Sequence, residues 1–183
     1  MKDIVQTPLE IRHRIWTELA RATKDRHHAW RTPVLATAQD CLPHARTVVL
    51  REVHASMSQL FFYTDGRSAK VSQLSTQPDA MLVFWSNRLN WQLRARVSVT
   101  LHATGQLVDT IWTRVSQSAS SADYLSPCAP GTALPGAKTK ASSDKHHLVV
   151  ISAEVQEIDW LELASSGHRR ARIRADSWDW LTP

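Results

Sequence analysis

Apolar and polar residues alternate strictly over residues 91–104, where every odd-numbered position is apolar and every even-numbered one is polar. Successive side chains of a β-strand point to opposite faces, so this period of two predicts a long strand with one buried face. Residues 80–85 form a mostly apolar run that suits a central strand. Residues 147–158 carry apolar side chains at alternate positions and predict a last long strand.

Helical signals occur at three places. Residues 7–10 read Thr-Pro-Leu-Glu, a capping box with proline at the first helical position. Apolar residues then recur at every fourth position over residues 11–19, which predicts an amphipathic helix over residues 8–23. A serine cap and a closing proline predict a short helix within residues 68–78. A third helix is predicted over residues 109–124.

Further strands are predicted at residues 33–38, 45–53 and 60–64, with a further short strand at 169–174, and residues 178–181 close the chain. The total of six or seven short strands, mostly antiparallel, with two or three helices, predicts a mainly β (α+β) fold in which a small β-barrel carries peripheral helices.

We expect one domain over residues 1–183. It comprises the N-terminal helix (8–23), a barrel core (33–105), an exposed loop (126–146) that is rich in Pro, Gly, Ala, Ser and Lys, and the last strands with the C-terminal tail (147–183).

Composition narrows the class of protein. The chain is 43% hydrophobic and 21% charged, as in ordinary globular proteins, and no apolar run approaches the roughly 20 residues that span a bilayer. We therefore expect no membrane partner. No secretory signal is evident, and Cys41 and Cys128 are too few for a disulfide framework or a zinc site, so we expect a cytoplasmic protein with free thiols and no metal. The net charge of +5 accompanies no nucleic-acid-binding motif, so no nucleic-acid partner is expected.

Basic residues within residues 46–70 are spaced so that they can meet one anionic ligand. Arg46 and Arg51 frame an apolar strand, on opposite faces of it. Residues 67–70 read Arg-Ser-Ala-Lys and supply a hydroxyl, a helix N-terminus and two cations, which are groups that bind phosphate. Flavin mononucleotide (FMN), with a phosphate at one end and a planar ring at the other, is long enough to touch both ends of the strand. Taken singly, each feature also fits a solvated strand end or a capped surface helix.

Together these runs resemble the pyridoxamine 5′-phosphate oxidase family of flavin-binding split barrels, and in particular an uncharacterised branch of it. The family's Arg-x-Val-Leu-Leu-Lys strand resembles residues 46–51, and its Phe-Tyr-Thr-Asn strand with the following Ser-Arg-Lys turn resembles residues 62–70. Its Arg-Gln-Val strand resembles residues 91–93. The resemblance implies a six-stranded antiparallel Greek-key split β-barrel that forms a homodimer, with FMN at the subunit interface.

The resemblance also implies which residues bind the cofactor. Arg46 and Lys70 would hold the FMN phosphate with help from Ser68, beside Arg67 in the same turn. The residues that would line the isoalloxazine ring and ribityl chain are Val48, Val49, Leu50, Arg51, Tyr63 and Thr64. Gln92 would reach the cofactor from the other subunit, and Arg172 near the C-terminus would also contact the flavin.

The chain departs from the family in the substrate site. The family's Tyr-x-x-x-Arg-x-x-x-Ser motif maps to Tyr124, Cys128 and Thr132, so the arginine that binds the substrate's phosphate has become a cysteine and a charge-assisted contact is lost. The terminal Arg-x-His pair maps to His168 and Arg170, with the two residue types exchanged. These changes argue against pyridoxamine 5′-phosphate as the substrate. They leave His168, Arg170 and Tyr124 as candidate contacts for a different small molecule, with no catalytic acid or base identified.

Three functions remain open at this point. The first is an FMN-dependent oxidoreductase of the pyridoxamine 5′-phosphate oxidase type with an altered substrate. The second is a flavin-binding or sensing protein without turnover. A haem-binding variant of the barrel is the third, suggested by the paired histidines at residues 27–28 and 146–147.

Overall fold

The strictly alternating stretch forms a strand in the middle of one large sheet. A computed structural model describes residues 7–133 and 145–183 of the chain. The strands in these residues are β1 (Val34–Gln39), β2 (Leu42–Thr47), β3 (Leu50–His54), β4 (Gln59–Asp65), β5 (Asp79–Ser86), β6 (Trp91–His102), β7 (Leu148–Glu162), β8 (Arg169–Ile173) and β9 (Trp178–Leu181). The α-helices are α1 (Pro8–Lys24), α2 (Ala69–Thr76) and α3 (Gln106–Val115), and short 3₁₀ helices cover Ala29–Arg31, Ala55–Met57 and Ala119–Tyr124.

The sheet is antiparallel throughout, and its strand order is β2-β1-β5-β6-β7-β4-β3, with β8 paired to β7 and β9 paired to β8. The two longest strands pair from Trp91 opposite Glu162 to His102 opposite Val150, with one bulge after Arg96. A mainly antiparallel sheet accompanied by a few helices confirms the predicted fold class.

The sheet has more strands than predicted: nine within the described residues, against the expected six or seven. Residues 45–53 do not form one strand, because the chain leaves the sheet at Val48 and Val49 between β2 and β3. These two strands lie at opposite ends of the strand order, so the chain passes from one edge of the sheet to the other within two residues. A link this short holds the two edges close together, and the sheet is therefore a barrel that is split along one seam.

Three tryptophans fill the interior of the barrel. Trp30, Trp91 and Trp160 are among the largest fully buried side chains, and the rings of Trp91 and Trp160 meet edge to face with centroids 5.2 Å apart. This is a favoured geometry for aromatic pairs. Helix α1 adds Ile11 and Ile15 to the same core, both fully buried.

The first helix begins as the sequence predicts. Glu10 donates its backbone N–H to the Thr7 hydroxyl at 3.3 Å, and Thr7 donates its own N–H to the Glu10 carboxylate at 3.0 Å. The helix ends at Lys24, one residue beyond the predicted end. The capping box and the four-residue apolar period are thus both confirmed.

A second apolar cluster lies on the outer face of the sheet, under α3. Its buried residues are Phe61, Val108, Ile111, Tyr124, Leu148 and Val150. The helix predicted over residues 109–124 is wrong in extent, because α3 ends at Val115 and a separate 3₁₀ helix follows. Serine hydroxyls explain the break: Ser116 and Ser118 donate to backbone carbonyl oxygens three residues earlier, at 3.1 and 2.7 Å, and so compete with continued helix formation.

The predicted exposed loop at 126–146 lies partly outside the described residues, which stop at 133 and resume at 145. Its described beginning has no strand or helix, and residues 126 and 128 are half-buried rather than exposed. Strand β7 extends to Glu162, four residues past the predicted end. Among the residues that the structure describes, no helix is both long and apolar enough to cross a membrane.

Candidate functional site

Arg46 is held in place by neutral partners. It extends from β2 across β1, where it donates to the Thr37 hydroxyl at 2.7 Å and to the Leu35 carbonyl oxygen at 3.2 Å. Its other terminal nitrogen donates to the Gln73 side-chain oxygen on α2, also at 2.7 Å. Thr37 and Gln73 are themselves buried and bonded to each other at 2.8 Å. The guanidinium is therefore fixed in orientation while its charge is left without an opposing charge.

Lys70 lies at the beginning of α2, about one helical turn before Gln73. Its ammonium donates to the Thr64 hydroxyl at 3.0 Å, and that hydroxyl lies 3.3 Å from the Ser68 hydroxyl. Ser68 is the N-cap residue of the helix, yet its side chain makes no capping hydrogen bond. Two hydroxyls, one ammonium and a helix N-terminus thus converge on one point.

The electrostatics of this cluster favour an anion. Burial lowers the pKa of Lys70, the neighbouring Arg46 lowers it further, and Asp65 opposes these effects. Burial also lowers the pKa of Arg46. Neither cation forms a salt bridge with a carboxylate of the described residues, and Asp65 is instead paired with Arg67. Two partly desolvated cations without an acidic partner are costly unless a ligand supplies the negative charge. A phosphate group fits this donor set.

Arg67 has a different environment from the other two cations. Its guanidinium makes two hydrogen bonds to the Asp65 carboxylate, at 3.1 and 2.7 Å, and donates to the carbonyl oxygens of Ser126 and Cys128 at 2.7 and 3.3 Å. The side chain thereby ties the turn after β4 to the segment at 126–128. This leaves Arg67 fewer open donors for a ligand than Arg46 or Lys70.

A second cluster of polar side chains lies beside β3 and contains Arg51, Glu52 and Tyr63. A bulge between Leu50 and Glu52 interrupts the pairing with β4, and the Arg51 guanidinium lies 5.8 Å from the centroid of the Tyr63 ring. The Arg51 Nε is buried without a hydrogen-bond partner. Glu52 accepts from the Tyr63 hydroxyl, and from Arg114 of α3 at 2.5 Å. These residues line a cavity of about 270 Å³.

Tyr63 and Glu52, which both line this cavity, have pKa values shifted in opposite directions. Burial raises the pKa of Tyr63, and the adjacent Glu52 carboxylate raises it further. Burial acts to raise the pKa of Glu52, but hydrogen bonds from Tyr63 and Arg114 outweigh it, so the pKa is lowered. At neutral pH the pair is therefore a neutral phenol that donates to an ionised carboxylate.

The remaining residues that were predicted to line the isoalloxazine ring and ribityl chain differ in how deeply they are buried. Val48 and Val49 are half-buried in the link between β2 and β3, whereas the Leu50 side chain is fully buried in the barrel core. Leu50 would therefore present only its backbone to a ligand on the outer surface. Thr64 is buried beside Lys70.

Gln92 and Arg172 lie in another part of the sheet. Gln92 pairs with Leu161 between β6 and β7, and Arg172 pairs with Asp159 between β7 and β8. The Arg172 Nε lies 3.6 Å from the Glu157 carboxylate. Neither residue hydrogen-bonds to Arg46 or Lys70 within the described part of the chain. Within one chain, the two predicted sets of residues are therefore not linked by a direct hydrogen bond.

The candidate substrate contacts are also dispersed. Arg170 makes two hydrogen bonds to Asp159, at 2.9 and 2.7 Å. His168 is exposed, and its Nδ1 accepts from the Ala164 N–H at 3.3 Å. Tyr124 is buried, which raises the pKa of its hydroxyl, while nearby Arg51 lowers it. Of these three candidate substrate contacts, Tyr124 is the one that lies beside Arg51.

Sequence reasoning missed two polar residues of the cluster, Thr37 and Gln73. The available signal in the sequence is a glutamine next to the apolar Leu74 in the predicted short helix. The structure shows that Gln73 is buried, and a buried polar side chain needs a fixed partner. Its partner on β1 is distant in sequence, so no local pattern could identify it. Among the described residues, no group of three or more His, Cys, Asp or Glu side chains is placed to hold a metal ion.

Comparisons with known proteins bear on the family and the fold. The profile of the family described as "Pyridoxamine 5′-phosphate oxidase, FMN-binding domain" matches residues 13–103. The structure of a pyridoxamine 5′-phosphate oxidase-related, FMN binding protein from Nostoc punctiforme is 24% identical, with a TM-score of 0.75, over 98% of this chain and 100% of that one. No curated protein matches the sequence.

Two further solved structures share the fold. PhzG from Burkholderia lata, in complex with tetrahydrophenazine-1-carboxylic acid, is 18% identical with a TM-score of 0.73, over 99% of this chain and 95% of that one. A FAD-binding protein from Mesorhizobium loti is 12% identical with a TM-score of 0.52, over 85% of this chain and 94% of that one. The chain belongs to the pyridoxamine 5′-phosphate oxidase-like family of flavin-binding split barrels.

Proposed function

We propose that the protein is an FMN-binding flavoprotein, and that it acts as an oxidoreductase related to pyridoxamine 5′-phosphate oxidase with an altered substrate site. The observation that carries the proposal is the pair of cations, Arg46 and Lys70, beside the hydroxyls of Thr64 and Ser68. This set of donors is suited to bind a phosphate monoester. We expect the ligand to be a flavin because the matching family model describes an FMN-binding domain.

In this proposal each part of the site has a defined task. Arg46, Lys70 and Ser68 hold the phosphate of FMN, while Arg51 and Tyr63 lie along the flavin ring. Gln92 and Arg172 reach the same cofactor from a second copy of the chain, so the functional unit is a homodimer. When bound, FMN supplies the electron-transfer chemistry, and the chain supplies position, charge and exclusion of water.

The substrate is proposed to be a small molecule other than pyridoxamine 5′-phosphate. Tyr124 is retained, but the half-buried Cys128 stands where the family has a phosphate-binding arginine. The Cys128 backbone carbonyl accepts from Arg67 instead, at 3.3 Å. His168 and Arg170 are the remaining candidate contacts near the C-terminus.

A flavin-binding or sensing protein without turnover is the alternative, and one observation favours it. Tyr63 has a raised pKa and Glu52 a lowered one, so neither group of this pair is suited to exchange a proton near neutral pH. Mixing the flavin-loaded protein with NADH or NADPH under air distinguishes the two functions. Reduction followed by rapid reoxidation supports the oxidoreductase, and retained colour without turnover supports the binding protein.

The direct test of the proposed cofactor is the visible absorption spectrum of the purified protein, followed by chromatography of whatever acid or heat releases. A yellow protein that releases FMN supports the proposal. Release of FAD or haem would replace the cofactor assignment. A colourless protein that takes up none of the three when they are added would contradict it.

A further inference from the structure

A larger cavity, of about 780 Å³, opens between α1, the turn that joins β5 to β6, and the connection from β7 to β8. It shares no lining residue with the Arg46 and Lys70 cluster or with the cavity beside Tyr63. Its size lies within the range of small-molecule sites in proteins, roughly 300–1,000 Å³. None of the residues proposed to hold the flavin lines it, although His168, a candidate substrate contact, does.

One wall of this cavity is aromatic and apolar. Trp91 is almost fully buried, and its indole N–H donates to the Glu162 carboxylate at 3.0 Å. Leu89 and Leu163 continue the apolar surface. The Arg14 guanidinium, on α1, lies over the Trp91 ring at 5.0 Å from its centroid. A planar cation on an aromatic face is thereby positioned at the edge of an apolar surface.

Positively charged side chains outnumber negatively charged ones around the cavity. Arg14, Arg88 and Arg169 line it, against the single carboxylate Glu162. Glu162 accepts from Arg169 at 2.8 Å, and Arg88 donates to Glu18 at 2.5 Å. These two arginines thus have acidic partners.

Arg14 differs from both. Within the described part of the chain, it forms no salt bridge, and its guanidinium faces the Trp91 ring rather than a carboxylate. It is half-buried, so its charge is only partly solvated. A guanidinium in this state is suited to bind one carboxylate by two parallel hydrogen bonds.

We propose that this cavity binds a small organic monoanion, specifically a carboxylate attached to a flat apolar ring. The carboxylate pairs with Arg14, and the ring packs against Leu163, the large exposed apolar side chain of the lining. A dianion such as phosphate is disfavoured, because Arg88 and Arg169 already have acidic partners and the single charge of Arg14 is left to pair with a ligand. The site goes beyond the residues proposed to hold the flavin, and it includes His168, one of the candidate substrate contacts.

Calorimetric titration with 1-naphthoate and its neutral counterpart 1-naphthamide tests the proposal. The protein is first saturated with FMN, so that the probe cannot enter the flavin site. We expect naphthoate to bind at least about tenfold more tightly than naphthamide, since one charge-assisted contact contributes that much. Arg14→Gln should remove this preference and leave naphthamide binding unchanged. Lys24→Gln, the same charge change at an exposed position of the same helix, should alter neither.

A second variant locates the probe independently of Arg14. Ser166→Trp fills the cavity from an exposed loop position, and it should abolish binding of both probes. The proposal is overturned if the acid and the amide bind equally, if neither shows saturable binding, or if both variants leave naphthoate binding intact. Repeating the titration on Lys70→Ala without FMN keeps this result separate from the proposed function, because the cavity should respond in the same way.

Discussion

Lys70 illustrates how a single residue of the site is adapted to a ligand. Burial and the neighbouring Arg46 lower its pKa, so the unfolded chain binds this proton more tightly than the folded one. The charged side chain therefore costs stability at neutral pH. That cost decreases as the pH rises through the folded-state pKa towards 10.5, the ordinary lysine value. An anion bound beside the ammonium would remove the cost at neutral pH.

Replacing Lys70 by a neutral side chain of similar length should separate folding from binding. We expect Lys70→Met to leave the apoprotein at least as stable as the wild type at pH 7, because the unfavourable charge is gone. The rise in melting temperature on adding FMN should be smaller than in the wild type, because FMN binds more weakly. Thermal unfolding with and without FMN measures both, with the exposed Lys24→Met as control. A lower melting temperature for the Lys70→Met apoprotein would show that the ammonium stabilises the fold instead.

The two tyrosines of the chain, Tyr63 and Tyr124, provide a second test at this scale. Both have pKa values raised above 10.0, mainly through burial, so less than half of each should be ionised at pH 10 while the protein is folded. A group with a raised folded-state pKa contributes stability below its unfolded pKa and loses it as the pH rises through the folded value. Ultraviolet titration of the folded protein should therefore show less than half of the full tyrosinate signal at pH 10. A half-maximal tyrosinate signal at pH 10 in the folded protein would contradict the burial described for one of the two.

At the scale of elements, the turn between β4 and α2 joins the anion site to β7. Gly66 donates its N–H to the His147 carbonyl oxygen at 2.7 Å, and an added Cβ would meet a Val149 methyl at 2.8 Å. The turn that carries Ser68 and Lys70 is thus held close to the first residues of β7.

Gly66→Ala should therefore destabilise the protein by about 1–3 kcal/mol and weaken FMN binding, because either the turn or β7 must shift. Removing the opposing methyl groups with Val149→Ala should relieve the clash. In a double-mutant cycle measured by urea unfolding, the double variant should be more stable than the sum of the single losses by at least about 0.5 kcal/mol. Strict additivity would mean that the close contact is not what excludes a side chain at this position.

Local patterns predicted the elements well where one period persists. The strict alternation of β6 and the capping box of α1 specify those elements directly, and both were confirmed. The division of residues 45–53 was not predictable, because Val48 and Val49 are good strand formers and leave the sheet only to cross its seam. Lys70 could be identified as a cation near a helix start and Arg46 as one at the end of an apolar strand, whereas Gln73, the neutral partner of Arg46, required the fold.

At the scale of the whole molecule, the predicted cofactor residues fall into two groups on one chain. Arg46 and Lys70 lie at β2 and α2, and Gln92 and Arg172 lie on β6 and β8. If two copies form the dimer that the family resemblance implies, each FMN would be held by one group from each chain.

Mixed dimers test this arrangement. Homodimers of Lys70→Ala and of Arg172→Ala should both bind FMN weakly, because every site lacks one contact. After the two variants are unfolded together and refolded, the mixed dimer should contain one intact site and one that lacks both contacts. Half of the sites in mixed dimers should then regain wild-type affinity. If all sites stay weak, the two groups act within one chain. Wild-type affinity in the Arg172→Ala homodimer would instead show that Arg172 has no part in binding.

The claim that Arg46 and Lys70 hold a phosphate is tested most directly by comparing FMN with riboflavin, which lacks the phosphate, in fluorescence titrations of the apoprotein. We predict that the wild type binds FMN much more tightly than riboflavin. Arg46→Ala and Lys70→Ala should each weaken FMN binding by about tenfold or more, while riboflavin affinity is nearly unchanged. Unchanged FMN affinity in both variants, or an equal loss for FMN and riboflavin, would contradict the assignment of this cluster as the phosphate site.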